Sequence, residues 1–145
     1  MIALIQRVKE ARVNVDQQVI ANISQGLLVF VGIEKHDDKS QIPRLVERLL
    51  GYRIFADEND KMNLSIQDVN GDLLLVPQFT LAATTDKGLR PSFASSAAPN
   101  VAEELFNAFI AHAKSHYQRI ATGRFGADMQ VSLINDGPVT FWLQQ

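Results

Sequence analysis

The residue types that could do acid-base or metal chemistry in this 145-residue chain are few: three histidines, no cysteine and one dense run of carboxylates. His112 and His116 stand four apart on an expected helix, the spacing of a metal-binding pair. A zinc-hydrolase motif puts Glu directly after the first of them, and Ala113 is there instead. The expected setting is therefore a solvated helix face without metal. His36, among Glu34, Lys35, Asp37 and Asp38, reads as a surface turn. Asp57-Glu58-Asn59-Asp60 lacks the alternate-position ligands, central Gly and distal Glu of a calcium loop, and reads as a solvated turn. The missing cysteines exclude disulfides, thiolate metal sites and thiol catalysis. No phosphate-cradling Gly-rich loop and no Gly-x-Ser-x-Gly elbow occurs, which argues against nucleotide-driven chemistry and a standard serine esterase.

Two segments place polar groups in apolar surroundings. In Val76-Pro77-Gln78-Phe79-Thr80-Leu81 an apolar strand becomes polar at Gln78 and Thr80, two residues apart and so on one strand face. Pro77 cannot donate to a sheet ladder and marks an edge or bulge there. The second segment, Asn135-Asp136-Gly137-Pro138-Val139-Thr140, lies between two apolar strands and reads locally as a hairpin turn. Its Gly-Pro bond can take the cis form at a cost of only about 0.5–1 kcal/mol, which would aim its carbonyl oxygens in a fixed direction.

The elements that must position these segments are mostly strands. Arg12–Val15 and Val19–Ile23 read as a hairpin around Asp16-Gln17-Gln18, and the apolar run Gly26–Ile33 as a strand buried on both faces. A helix with the stripe Ile42, Leu45, Val46, Leu49 and Leu50 is expected to start near Ser40 rather than Asp38, because Pro43 suits only its first turn, and to close on Gly51. Tyr52–Phe55 and Met62–Ile66 read as strands around the acidic turn, and Asn70-Gly71 as a hairpin signal leading into Leu73–Val76. A second helix begins near Pro99-Asn100, with a capping box between Asn100 and Glu103 and a face of Ala102, Leu105, Phe106, Phe109, Ile110 and Ala113. Gln130–Asn135 and Val139–Leu143 finish the chain. The sum is about nine strands and two helices, an α+β domain with a mainly antiparallel sheet.

Composition bounds the partners. The chain is 46% hydrophobic, enough for one compact domain, and shows no repeat or linker. No apolar run approaches the roughly 20 residues that span a bilayer, and the N-terminus lacks the pattern of a signal peptide, so the cytoplasm is the expected location. Fourteen basic against 16 acidic residues exert no global pull on nucleic acid, so any RNA contact must be local.

Together with Gln6-Arg7-Val8, Gly51-Tyr52-Arg53-Ile54-Phe55 and Arg90-Pro91-Ser92-Phe93, the two segments closely resemble the D-aminoacyl-tRNA deacylase family, also called D-tyrosyl-tRNA deacylases. The resemblance covers essentially the whole chain, residues 1–145. The family's signatures are Ser-Gln-Phe-Thr-Leu and Asn-x-Gly-Pro-Val-Thr; here Pro77 takes the place of the serine and supplies neither hydroxyl nor amide hydrogen. The resemblance implies a homodimer of α+β subunits with a mixed sheet in a barrel-like arrangement and an active site at the dimer interface. It implies hydrolysis of the ester of D-aminoacyl-tRNA without metal or cofactor. Gly137-Pro138 would be cis and reach into the partner's pocket toward Gln78, Phe79 and Thr80, with Arg7 holding the dipeptide. Phe125 and Met129 would line the pocket for the terminal adenosine of the tRNA. Such a filter rejects L side chains by exclusion, so glycyl-tRNA would also be accepted. The rivals are a sister deacylase acting on L-alanyl-tRNA through a trans Gly-Pro bond, and a small RNA-binding module without catalysis.

Overall fold

A computed structural model describes residues 1–145. The chain forms eight strands and two helices, in the order β1 (Ile2–Val15), β2 (Gln18–Ile23), β3 (Gly26–Gly32), α1 (Ile42–Gly51), β4 (Phe55–Ala56), β5 (Met62–Leu64), β6 (Asp72–Pro77), α2 (Pro99–His116), β7 (Ile120–Thr122) and β8 (Gln130–Gln144). Six strands make one mixed sheet that runs β2-β1-β3-β6-β7, with β8 along the free edge of β1; β4 and β5 form a separate ribbon. β6 pairs parallel to both β3 and β7, so α1 and α2 lie in the crossover connections.

β1 organises the sheet. Its first half pairs with β3, from Ile2↔Gly32 to Val8↔Gly26, and its second half with β2, from Ala11↔Ile23 to Val15↔Gln18. Its ladder with β8 shifts register on either side of Val8, and those bulges turn the strand over. Ala3 and Ile5 therefore face a large core shared with α1 and α2, whereas Val8, Ala11, Val13 and Val15 face a smaller core with Ala21, Ile23, Leu28, Leu74 and Val76. The sheet wraps around the second core, nearly closing into a barrel. β3 is buried on both faces as its unbroken apolar run predicts: Leu27, Val29 and Val31 enter the first core and Leu28 the second.

The hairpin of β1 and β2 and both helical stripes are found as read; Asp16 and Gln17 adopt positive φ, as a tight two-residue turn requires. Several boundaries differ. Asp38, not Ser40, caps the first helical segment: its carboxylate accepts from the Ser40 amide (2.7 Å) and its amide donates to Gln41 Oε1 (2.8 Å), around a 3-10 turn over Lys39–Gln41 that feeds α1. Gly51 is the last helical residue rather than a left-handed cap, because Tyr52 turns directly into extended backbone. α2 starts on Pro99 after Ala98, whose side chain makes no cap, so the Asn100–Glu103 box does not form; proline at the first helical position has the backbone angle a helix start needs and leaves one fewer amide without a partner.

The ribbon of β4 and β5 is shorter than expected. Tyr52–Ile54 is not a strand, and β5 stops at Leu64 because the Ser65 amide (2.8 Å) and hydroxyl (2.7 Å) both bond the Asp68 carboxylate. Asn70-Gly71 makes a turn but no hairpin: Asn70 has φ +49°, and the strand that follows pairs with β3 and β7 rather than with its predecessor. The largest correction concerns the C-terminal segment. Gln130–Asn135 and Val139–Leu143 are one continuous strand, β8, and residues 135–140 are not a hairpin turn.

Candidate active site

β6 ends on Pro77 for a reason that reaches the site. Leu73 donates to Arg119 O (2.8 Å) and Gly123 donates to Leu75 O (2.8 Å), so positions 73 and 75 turn their peptide groups toward β7, and alternation turns position 77 the same way. Proline has no hydrogen to give there, and the ladder to β7 ends. On the other side Gln78 still donates to Val31 O (2.8 Å). Gln78 and Thr80 are therefore not on a strand face, as their spacing suggests, but at the start of a tight 3-10 turn, Phe79–Ala82.

In that turn Leu81 donates to Gln78 O (3.2 Å) and Ala83 to Thr80 O (3.1 Å). The Phe79 and Thr80 amides precede the first such bond and have no acceptor within the turn. Gln78 Nε2 donates to Thr80 Oγ1 (2.6 Å), so the threonine hydroxyl is held by an amide rather than by a base. Phe79 is 56% exposed and leans on Phe93, with ring centroids 5.2 Å apart.

Beside the turn opens a cavity of about 430 Å³. Phe30, Val76, Pro77, Gln78 and Phe79 line one side; Phe125, Gly126, Met129 and Val131, from the β7–β8 loop and the start of β8, line the other. Phe125 is seated on Phe106 of α2, centroids 6.4 Å apart, and Met129 Sδ accepts the Arg124 amide (3.4 Å). Gly123 brings that loop close: a Cβ there would stand 2.9 Å from Met129 Sδ and 3.3 Å from the Pro77 ring. The cavity is predominantly apolar with a few peptide and amide groups at its rim, suited to a flat heteroaromatic group with a polar edge. Phe30 escaped the sequence reading, although it is the only aromatic residue in its apolar run.

Arg7, Gly137 and Pro138 make a second group, outside that lining. Between the pairs Gln6↔Thr140 and Val8↔Asn135, Arg7 alone faces Asp136, Gly137, Pro138 and Val139, so β8 arches out in a wide bulge. Arg7 is 14% exposed and fills the arch: Nε donates to Asp136 O (3.0 Å) and lies 3.3 Å from Asp136 Oδ2, and Nη1 donates to Ile54 O (2.6 Å). Capture of Ile54 O by Arg7 also accounts for the irregular backbone at Tyr52–Ile54. Gln6 Nε2 reaches Thr140 Oγ1 (3.3 Å) at the foot of the arch. The Gly137-Pro138 bond is cis, and Gly137 has φ +130°. A Cβ on Gly137 would sit 2.7 Å from Val139 Cγ2 and 3.3 Å from Arg7 Nη2, so only glycine fits.

By alternation along β1 Arg7 points to the face of Ala3 and Ile5, whereas the cavity and the outer part of β8 share the face of Leu4. Cross-strand register sets Val76 beside Phe30, Phe30 beside Leu4, and Leu4 beside Trp142, a row that leads from the cavity to β8. Trp142 is 50% exposed, and β8 pairs with nothing on its outer edge.

The histidines lie elsewhere. His112 and His116 line a groove between α1 and α2 with Arg44, Glu47 and Gln67; their rings are 4.5 Å apart, and His116 Nδ1 is engaged by the His112 carbonyl (2.9 Å). The acidic run works as a turn. Asp57 accepts from Asn63 Nδ2 (2.7 Å) and from the amides of Lys61 and Asn59, which hold its carboxyl below the usual range.

A family model described as D-Tyr-tRNA(Tyr) deacylase matches residues 4–144. The chain is 57% identical over 141 residues to a D-aminoacyl-tRNA deacylase of Pseudoalteromonas translucida (strain TAC 125), covering 97% of each, and 57% identical over 144 residues to one of Klebsiella pneumoniae (strain 342), covering 99% of each. Among solved structures it is similar to a c-Myc DNA unwinding element binding protein, with TM-score 0.96, 36% identity and coverage of 100% of this chain and 99% of that one. A probable eukaryotic D-amino acid tRNA deacylase shares the fold at TM-score 0.85 and 17% identity, covering 98% and 97%.

Proposed function

Since the chain belongs to the D-Tyr-tRNA(Tyr) deacylase family, we propose that it hydrolyses the ester joining a D-amino acid to the 3′-terminal adenosine of a tRNA, and that residues 135–140 are its chirality filter. The observation that carries this reading is the pair of amides without a partner in the turn, Phe79 and Thr80, the first of them on a residue that lines the apolar cavity and the second next to it in the chain. Water adds to the ester carbonyl, the carbon–oxygen bond to the ribose breaks, and the ribose oxygen takes the proton. The site must hold the tetrahedral oxyanion, and preorganised amide donors supply about 10²–10³-fold in rate. Neither signature stretch contains a histidine or lysine to activate Thr80, whose hydroxyl is held by the Gln78 amide instead, which favours assistance by the tRNA's own 2′-hydroxyl over a covalent threonine ester. The serine hydroxyl and amide that Pro77 replaces take no part.

The adenine would occupy the cavity between Phe79, Phe125 and Met129, leaving the aminoacyl group outside on the row Phe30–Leu4–Trp142. In this reading a second copy covers that row and the bare edge of β8, and two-fold symmetry carries the arch of each subunit to the other's cavity. Carbonyl oxygens of the arch, which Arg7 braces through Asp136 O, then stand where an L side chain would go. A D residue, or glycine, presents only hydrogen there.

A basic stripe with interleaved aromatics, which an RNA-binding module would need, is missing from the cavity rim. The test compares hydrolysis of D-tyrosyl-tRNA and L-tyrosyl-tRNA, with and without chelator. The expected result is rapid loss of the D ester alone, unaffected by chelation. Equal rates or none would overturn chiral editing, and inhibition by chelator would overturn metal-free hydrolysis.

A further inference from the structure

With Pro77 ending the ladder on the β7 side, the turn that carries the Phe79 and Thr80 amides takes its position from β3. Two features fix it there. The Gln78 amide bonds Val31 O (2.8 Å), and the turn then lies directly on the next residue, Gly32. A Cβ built on Gly32 would stand 2.8 Å from Leu81 Cβ, 3.3 Å from Gln78 O and 3.6 Å from Ala82 N. Neither of the two nearest atoms is the end of a flexible side chain, so neither can yield without moving the backbone of the turn. Gly32 is not in the left-handed region, so it is not required for its own conformation. What demands glycine is the approach of the turn.

From this contact we propose that Gly32 is a positioning residue for the site: the space where its side chain would be sets where the Phe79 and Thr80 amides point. The proposal rests on the deacylase reading above. Gly32 touches no substrate, and its effect runs through Leu81 and the Gln78 carbonyl. The far end of the turn is tied separately, by the Ser95 hydroxyl to Ala82 O, so a push at Gly32 tilts the Gln78–Leu81 end instead of shifting the whole turn. All three of the atoms nearest to that Cβ belong to the turn, and none to Phe125 or Met129 on the opposite wall of the cavity.

Catalysis and binding should therefore separate. In Gly32→Ala, kcat on D-tyrosyl-tRNA is expected to fall about 10- to 100-fold, the cost of amides displaced by some tenths of an ångström to an ångström. KM should move by less than about threefold, a change far smaller than the tenfold step that 1.4 kcal/mol represents. Removing the other partner of the clash should restore the turn: Gly32→Ala with Leu81→Gly is expected to recover at least about tenfold in kcat over Gly32→Ala, read against Leu81→Gly alone as the fourth corner of the cycle. Wild-type activity in Gly32→Ala, parallel loss of kcat and rise of KM, or a folded double variant no more active than Gly32→Ala would each overturn the proposal. If Gly32→Ala is insoluble, the double variant decides alone: soluble and active supports the proposal, soluble and inactive overturns it. A wild-type enzyme inert toward D-tyrosyl-tRNA would instead sink the deacylase reading itself, and this inference with it.

Discussion

Replacing Arg7 by methionine should unlock the arch of β8 while leaving its apolar stem in place. Arg7 is the only side chain of β1 that faces the four residues Asp136–Val139, and it makes three polar contacts with two separate segments: Asp136 O, the Asp136 carboxylate and Ile54 O. A hydrogen bond from a charged donor contributes about 1.5–3 kcal/mol when shielded. The bond to Ile54 O falls in that range. The Asp136 carboxylate is 31% exposed, so its ion pair adds only a few tenths to about 1 kcal/mol. Allowing for non-additivity, the loss is about 3 kcal/mol, which in a domain of this size lowers Tm by roughly 6–12 °C. Arg7→Lys should recover only part, because one ammonium cannot serve Ile54 O and Asp136 from two nitrogens in a fixed fork.

The functional consequence is more specific than the melting point. On the filter proposed for residues 135–140, a relaxed arch no longer fixes the carbonyl oxygens, so the ratio of D- to L-tyrosyl-tRNA hydrolysis should fall about tenfold or more, while general destabilisation would lower both rates and leave the ratio alone. The assay is single-turnover deacylation of both esters at 25 °C, well below either melting point, with thermal denaturation alongside. An Arg7→Met protein that melts within about 1 °C of wild type and keeps its D-to-L ratio would refute the reasoning.

On the proposed two-fold arrangement the wild type is dimeric by sedimentation and Trp142→Glu should be monomeric, with deacylation reduced more than tenfold and circular dichroism unchanged, because the side chain is 50% exposed in the single chain; a dimeric, active variant would refute the proposed interface. Asp38, Asp57 and Asp68 all have carboxyls held below the ordinary aspartate range, Asp68 first by the Ser65 amide and then by its hydroxyl. Their contribution is complete above about pH 4 and is lost as pH falls through the lowered folded values, so Asp68→Asn should flatten the acid side of the Tm–pH curve; an unchanged slope would count against it.

The helices were legible because their information is local. Ile42, Leu45, Val46, Leu49 and Leu50 define a stripe by spacing alone, as do Ala102, Leu105, Phe106, Phe109, Ile110 and Ala113, and all are buried except Ile110, which packs half-buried against the core. The β1–β2 hairpin was equally local. The C-terminal arch was misread because a tight turn and a wide bulge ask the same things of the chain: a glycine at positive φ, a proline, and short polar residues beside them. What separates them is the strand opposite. Asn135 and Thr140 do not fold back on one another but both pair with β1, to Val8 and Gln6, across more than a hundred residues of sequence. Pairing at that separation leaves no trace in the segment itself. The same holds for Arg7, which from its own neighbours is one charged residue in an apolar strand, and for Asn70-Gly71, whose turn chemistry is genuine although β6 pairs parallel with β3 and β7.

Pro77 illustrates how such long-range facts can still be constrained from below. Its missing hydrogen was enough to mark an interruption at that spot, yet only the topology says which neighbour is lost. Because β7 is the one released, the loop from Gly123 to Met129 is free to leave the sheet and form the outer wall of the cavity, while β3 keeps hold of the turn through Val31 and Gly32. The residue that departs from the family signature is thus compatible with the site that signature builds, provided the chemistry draws on the amides after it and not on the hydroxyl it lacks.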